Sequence, residues 1–193
     1  MADTPDIPQP RENHRLFGHE SVEAALHEAC NAGRLHHSLL FAGPRGIGKA
    51  TLAFRLARFL LKSEASGLLG LDVPAADGFD MSTDDPVFRQ VAAGGHPALR
   101  VVERSRNPDT GKVARDITVS DIRGLSEFFR MTTVAGGWRV AIVDPAEAMN
   151  QNAANALLKI LEEPPDLSVI ILVSHVPGRL LPTIRSRCRA VQM

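Results

Sequence analysis

Short apolar runs and longer amphipathic segments alternate along this chain. The apolar runs are brief and continuous, which is typical of buried strands. They cover residues 38–42, 97–102, 138–143 and 169–173. Apolar positions recur at helical spacing over 119–131 and 152–161, and a further helical pattern follows Lys49. Strands that alternate with helices predict an α/β fold around a mainly parallel sheet.

Local signals suggest where several helices begin and end. We expect Ser21 to cap a first helix and Ser120 to cap the helix over 119–131, because a serine hydroxyl can accept from backbone N–H groups there. Pro164 and Pro165 should stop the helix over 152–161. A short helix is expected over 86–94.

Other segments carry no regular pattern. Residues 1–13 contain three prolines and many polar side chains, so we expect a flexible tail before a domain that covers 14–193. Residues 63–86 are rich in Gly, Ala, Asp and Ser, which indicates an irregular insertion. Strong turn residues over 107–112 favour a hairpin within 103–117.

Composition narrows the class of protein. The chain has 193 residues, of which 44% are hydrophobic, as expected of a globular protein with a core. Lys plus Arg and Asp plus Glu number 22 each, so the global charge does not indicate nucleic-acid binding, although a locally basic face stays open. Cys30 and Cys188 lack metal-ligand spacing and are expected as reduced thiols, without zinc. No apolar run approaches membrane-spanning length, and a cytoplasmic protein is expected.

A glycine-rich stretch follows the first predicted strand and opens a helical pattern. Gly43, Gly48 and Lys49 fit G-x-x-x-x-G-K, in which backbone N–H groups and a lysine surround phosphates. The residues expected to contact a nucleotide here are Gly43, Pro44, Arg45, Gly46, Ile47, Gly48, Lys49, Ala50 and Thr51. The alternative is a turn that only links a strand to a helix.

The position after Lys49 departs from this motif. It is Ala50, where a serine or threonine hydroxyl would hold Mg²⁺. Thr51 is not expected to replace it, because one helical residue turns a side chain by about 100°. The stretch therefore favours nucleotide binding over Mg²⁺-dependent chemistry.

Further candidate residues follow the later strands. Asp144 ends a strand where phosphate-loop proteins hold Mg²⁺, although it could only cap a turn. Ser174 and His175 follow the next strand and could contact a phosphate or a water, or have no such role. Arginines cluster at 185–189 and are either a solvated edge or a ligand-contacting group.

Four stretches of this sequence together resemble the AAA+ ATPase domain of bacterial DNA clamp loaders. They lie at 43–49, 144–150, 155–165 and 181–188, and the resemblance covers residues 16–191. It implies a P-loop NTPase core with a five-stranded, mainly parallel sheet flanked by helices. Within the family the chain is most similar to the delta-prime type of DNA polymerase III subunit. The family's zinc module has no cysteines here and is not expected.

The resemblance also implies how such a subunit acts. Pro145 stands where an ATP-hydrolysing member has a glutamate, and Glu147 is not expected to replace it, so little or no intrinsic hydrolysis is expected. Arg187 would act in trans, on ATP bound to a neighbouring subunit. The implied partners are the tau/gamma and delta subunits, and through them the sliding clamp and primed DNA. The family's lid and collar domains are expected to be missing from this chain.

Two other interpretations stay open. One is an autonomous ATP-hydrolysing enzyme, such as a tau/gamma-like motor or a helicase loader. The other is a scaffold in which nucleotide binding is lost. Ala50 and Pro145 argue against the first, and Gly48 and Lys49 argue against the second.

Overall fold

The fold is a parallel five-stranded sheet with helices on both faces. The computed structural model describes residues 8–68, 78–106, 109–131 and 137–193. The strands are β1 (Ser38–Ala42), β2 (Leu99–Val102), β3 (Arg139–Val143), β4 (Ser168–Ser174) and β5 (Arg189–Gln192). All neighbouring pairs are parallel, in the order β2-β3-β4-β1-β5. The predicted α/β fold is confirmed.

Six α-helices connect and cover these strands in the described residues. They are α1 (Glu20–Asn31), α2 (Lys49–Leu68), α3 (Pro86–Ala92), α4 (Val119–Arg130), α5 (Gln151–Glu162) and α6 (Pro182–Arg185). Short 3₁₀ turns lie at Ala146–Ala148 and Pro177–Arg179. The chain thus moves between strand and helix as the periodicity predicted.

The core lies on both faces of the central strands. Every residue of β1, β3 and β4 is buried, as expected for parallel strands that are covered on each side. In β1, Leu40 packs with the cluster formed by α4 and α5, whereas Leu39 and Phe41 pack with the cluster around α2. Burial of both apolar faces stabilises the sheet, and this fixes the carboxyl ends of β1, β3 and β4 side by side.

Two predicted helix caps are each wrong by two residues. The first helix begins at Glu20, after His19, and the Glu20 carboxylate accepts a hydrogen bond from the Gly18 N–H, so Ser21 is already inside the helix. Thr118, not Ser120, precedes α4. The Asp121 carboxylate accepts from the Thr118 N–H at 2.8 Å, and this reciprocal pairing fixes the boundary.

The predicted irregular segments differ in part from the structure. Helix α2 continues to Leu68, so the irregular insertion does not begin at residue 63. Residues 69–77 lie outside the described part of the chain, as do 107–108 of the predicted hairpin. In the hairpin segment, the structure shows an isolated antiparallel bridge between Arg106 and Val113 in place of two strands.

Candidate functional site

A cavity of about 1010 Å³ opens at the carboxyl ends of the central strands. The loop between β1 and α2 forms its floor, and Asp144 and His175 enter from the ends of β3 and β4. Its walls are formed by Asn13, by residues 15–17 and by residues 103–106. Ligands of open α/β sheets bind at this edge, so the cavity lies where the fold itself favours a site.

Glycine conformations shape the loop on the cavity floor. Gly46 and Gly48 have φ angles of 87° and 101°, which side-chain-bearing residues rarely adopt. A Cβ at Gly48 would also collide with the Leu16 side chain. The loop can therefore close tightly only because these positions are glycine; the motif predicts Gly48, whereas Gly46 occupies one of its variable positions.

The side chain of Lys49 is buried inside this loop. Its ammonium donates to the Gly43 carbonyl oxygen at 2.8 Å and also to the Pro44 carbonyl. Burial lowers the pKa of Lys49, and the negative charges of Asp144 and Glu147 oppose that change. A flexible four-carbon stem lets the ammonium exchange a carbonyl for a phosphate oxygen, which is a stronger, charged acceptor.

Ala50 and Thr51 follow Lys49 in the first turn of α2, and both line the cavity. Ala50 brings only a methyl group to the position after the lysine. Thr51 does have a hydroxyl, but Thr51 is buried, with only 7% of its surface exposed. The first turn of the helix thus supplies backbone N–H groups to the cavity floor without a hydroxyl at the usual position.

Asp144 extends from the end of β3 into the cavity. Burial raises the pKa of its carboxyl group to about 6, and the negative charges of Glu103 and Glu147 act in the same direction. Lys49 and Arg45 pull that pKa down. The carboxyl group consequently takes up a proton easily, and a bound cation would favour its ionised form.

Glu147 is the site residue whose contact the sequence did not reveal. Its Oε1 accepts a hydrogen bond from the His175 N–H at 3.0 Å, which ties the turn after β3 to the end of β4. Twenty-eight residues separate Glu147 from His175, and no periodic pattern links them.

Several buried polar atoms at this edge have no hydrogen-bond partner. They are the Ser174 Oγ, the Glu147 Oε2 and the His175 Nδ1. Ser174 is fully buried at the end of β4 and is aligned with Ala42, directly before the loop. Burial, with Lys49 nearby, lowers the pKa of His175 and favours its neutral form. Orphan atoms of this kind are typical of places that water or a ligand completes.

The N-terminal segment forms one wall of the cavity and is fixed by α2. The buried Arg58 guanidinium donates to the Arg11 carbonyl at 3.0 Å and to the Asn13 carbonyl at 2.8 Å, and it lies over the Phe88 ring. Burial, with Arg55 nearby, lowers the pKa of Arg58 to about 10. Residues 11–13, in the predicted flexible tail, are thus held against the helix.

Two more contacts continue this wall toward the loop. Arg55 donates to the His14 carbonyl and pairs with Glu23 and with Asp80, the latter at 2.8 Å. The His19 ring nitrogen lies 2.8 Å from the Ile47 carbonyl oxygen. These contacts place Leu16 and Phe17 over the loop.

Arg187 lies away from this cavity, after α6. Its Nη2 lies 2.6 Å from the Glu162 Oε1, and its Nη1 donates to the Thr183 carbonyl at 3.0 Å. About 36% of its side chain is exposed. The fold therefore brings the predicted loop, Asp144 and Ser174 to the same edge of the sheet but leaves Arg187 away from them, partly exposed at the surface.

Three further features concern the cysteines, metal-ligating clusters and membrane-spanning helices. Cys30 and Cys188 are free thiols, and burial raises the pKa of each to about 12, which disfavours the reactive thiolate form. The described ranges contain no group of three or more His, Cys, Asp or Glu side chains arranged to hold a metal ion. Within the same ranges, every helix is too short or too polar to span a bilayer.

Solved structures similar to this fold belong to AAA+ proteins. A DNA polymerase III gamma subunit-related protein from Thermotoga maritima matches with a TM-score of 0.55 and 24% identity, over 82% of this chain and 41% of that one. The RuvB Holliday junction branch migration motor of the same organism matches with a TM-score of 0.50 and 20% identity, over 96% of this chain and 49% of that one. These similarities confirm the AAA+ fold.

The sequence relatives described next are all subunits of DNA polymerase III. The chain is 43% identical to the DNA polymerase III subunit delta′ of Pseudomonas aeruginosa, over 79% of this chain and 41% of that protein. It is 31% identical to subunit delta′ of Bacillus subtilis, over 88% of this chain and 46% of that protein. It is 35% identical to subunit gamma/tau of Mycobacterium tuberculosis, over 93% of this chain and 28% of that protein.

The chain spans less than half the length of these relatives. The model of a family described as "DNA polymerase III, delta subunit" matches residues 18–193, nearly the whole chain. The expected resemblance to the delta-prime type is confirmed. The chain belongs to this family of DNA polymerase III subunits, and its cavity is built on an AAA+ fold.

Proposed function

We propose that this chain is the nucleotide-binding core, over residues 14–193, of a delta-prime-like clamp-loader subunit that binds ATP without hydrolysing it effectively. One observation supports this most strongly. The phosphate loop is closed around a buried Lys49, while Ala50 and Pro145 replace the hydroxyl and the carboxylate that hydrolysis needs.

The residues of the cavity fit a nucleoside triphosphate. Phosphates would meet Lys49 and the N–H groups at the start of α2. Ser174 is fully buried and does not line the cavity, so His175 is the residue at the end of β4 that could face the outermost phosphate. The negative charge of the Asp144 carboxylate would still be present to offset the positive charge of a bound Mg²⁺ ion. Bound ATP would supply binding energy that the subunit uses for conformation and assembly rather than for its own chemistry.

The role of Arg187 is the second part of the proposal. A guanidinium at a subunit boundary can stabilise the charge that develops on the γ-phosphate of ATP in a neighbouring subunit, an effect worth about 10³–10⁵ in rate in other nucleotide hydrolases. Its partial exposure and its distance from its own cavity support this role. The subunit would then contribute to ATP hydrolysis in the neighbouring subunit.

The partners follow from the family. We propose assembly with tau/gamma and delta subunits in the cytoplasm, and, through the complex, action on the sliding clamp and primed DNA. A tau/gamma-like motor is the competing function, because a gamma/tau subunit is 35% identical to this chain.

Reconstitution tests the proposal. The full-length protein is mixed with tau/gamma and delta subunits, and assembly is followed by size-exclusion chromatography while clamp loading on primed DNA is assayed. We expect a stable complex, with loading lost when this subunit is omitted. A protein that neither enters the complex nor affects loading would contradict the proposal. ATP titration by calorimetry, with and without Mg²⁺, separates nucleotide binding from a pure scaffold role.

A further inference from the structure

Glu162 and Arg187 form an ion pair between two separate elements. Glu162 is the last residue of α5, and Arg187 follows α6. The carboxylate holds one end of the guanidinium at 2.6 Å, and the Thr183 carbonyl holds the other end at 3.0 Å. Two fixed acceptors at different nitrogens define the plane of the guanidinium as well as its position.

The location of Glu162 is unfavourable unless it has a partner. A carboxylate at the C-terminal end of a helix opposes the helix dipole, and the positive charge of Arg187 compensates for it. Both side chains are substantially exposed, at 48% for Glu162 and 36% for Arg187, so water screens the pair. Such exposed pairs contribute little to folding stability, so stability alone does not explain why this one is placed here.

The contacts leave part of the arginine available. A guanidinium has five N–H donors, and the two acceptors use only some of them. A long arginine side chain loses rotamer freedom when it grips a phosphate, and a guanidinium that is already oriented loses less. The ion pair therefore prepares Arg187 without occupying all of its donors.

We propose that Glu162 is a positioning residue that orients Arg187 toward the triphosphate of a neighbouring subunit. This inference rests on the proposed trans role of Arg187. Glu162 itself does not touch the nucleotide. Its removal should slow the chemical step in the neighbour, because the arginine must then be ordered during the reaction, and should leave the binding of ATP there unchanged.

The chain contains a matched control. Glu163 is adjacent, exposed and chemically identical, and it does not share the contact with Arg187. Glu162→Gln, Glu163→Gln, Arg187→Ala and the Glu162→Gln/Arg187→Ala double variant are each assembled into the complex. Steady-state ATP hydrolysis in the presence of clamp and primed DNA gives kcat and KM. Thermal unfolding of each free subunit checks that it is folded.

We expect Glu162→Gln to lower kcat by about threefold to tenfold with an unchanged KM, while Glu163→Gln behaves as wild type. The double variant should match Arg187→Ala alone, because Glu162 acts through the arginine. Equal rates for Glu162→Gln and Glu163→Gln, or a faster Glu162→Gln complex, would overturn the positioning role alone, provided that Arg187→Ala slows hydrolysis. If Arg187→Ala has no effect, the trans role and this inference both fail.

Discussion

The Lys49 ammonium donates a hydrogen bond to the Gly43 carbonyl oxygen at 2.8 Å, across the loop that both residues define. The lysine thus stabilises the loop from inside and stands where an incoming phosphate would arrive. A strong anion competes for the same donor and replaces a neutral acceptor with a charged one. Loop shape and the proposed phosphate binding would consequently depend on the same side chain.

Replacement of Lys49 tests this dependence. Lys49→Met keeps most of the buried stem but removes the ammonium, and we expect ATP affinity to fall by about tenfold to a hundredfold, which corresponds to one charge-assisted hydrogen bond. Calorimetric titration measures the change. Lys159→Met, which removes an exposed lysine from α5, is the control and should bind as wild type. Equal affinities for the two variants would mean that Lys49 does not meet the phosphates.

The backbone of the loop can be tested separately from its charge. Gly48→Ala places a methyl group at a φ of 101° and against Leu16, so we expect a loss of about 1–3 kcal/mol in the free energy of unfolding and weaker ATP binding. Gly178→Ala is the control, since a Cβ there meets open space. Urea unfolding and ATP titration measure both. A Gly48→Ala protein as stable as Gly178→Ala would refute the tight loop.

The protonation of Asp144 makes stability depend on pH. Its carboxyl pKa is about 6 when folded, against an ordinary value of 3.8, so the folded state keeps a proton that the unfolded state releases. Stability contributed by this proton is complete below about pH 4 and is lost as the pH rises through about 6. At neutral pH the buried charge therefore costs on the order of 3 kcal/mol.

Asp144→Asn should remove this cost. We expect the variant to be more stable than wild type at pH 7.5, with the advantage much smaller at pH 4.5, as measured by urea unfolding at both values. Asp166→Asn, at an exposed position, controls for the loss of one acid. An advantage for Asp144→Asn that does not change with pH would show that the carboxylate is not destabilised by its surroundings.

Arg58 connects the wall of the cavity to the helix that carries the loop. Arg58→Ala leaves the Arg11 and Asn13 carbonyls without their donor and opens a cavity beside Phe88, so we expect a loss of about 2–4 kcal/mol. Arg89→Ala, which breaks an exposed pair with Asp84, should cost about 0–1 kcal/mol. Chemical denaturation compares the two. Similar losses would contradict the anchoring role.

These residues show which parts of the site a sequence can reveal. The loop was predictable because Gly43, Gly48 and Lys49 act within a few residues of one another, and the central strands because continuous apolar runs are buried on both faces. The contacts of Arg58 were not, because its acceptors lie 45 and 47 residues away. One signal for these contacts did exist. Arg58 lies in a helix segment that is buried all round, and a buried guanidinium needs hydrogen-bond acceptors.

The helix caps show a similar limit. Ser120 is a reasonable cap by residue type, but Thr118 is the cap in the structure. Asp121 lies three residues after Thr118 and completes the reciprocal pair. Arg123, three residues after Ser120, cannot accept a hydrogen bond. The surroundings of a cap, rather than its residue type, decided the boundary.

In the proposed function, this chain keeps a triphosphate site but lacks the groups that hydrolyse ATP. Phosphate release by the isolated protein, at saturating Mg²⁺ and ATP, tests it directly, with the Ala50→Thr variant measured alongside. We expect turnover at background level in both, because the restored hydroxyl would still face Pro145 where a base is needed. Turnover near about 1 s⁻¹ in the wild-type chain, the low end of ordinary enzyme rates, or clear turnover created by Ala50→Thr alone, would contradict the claim.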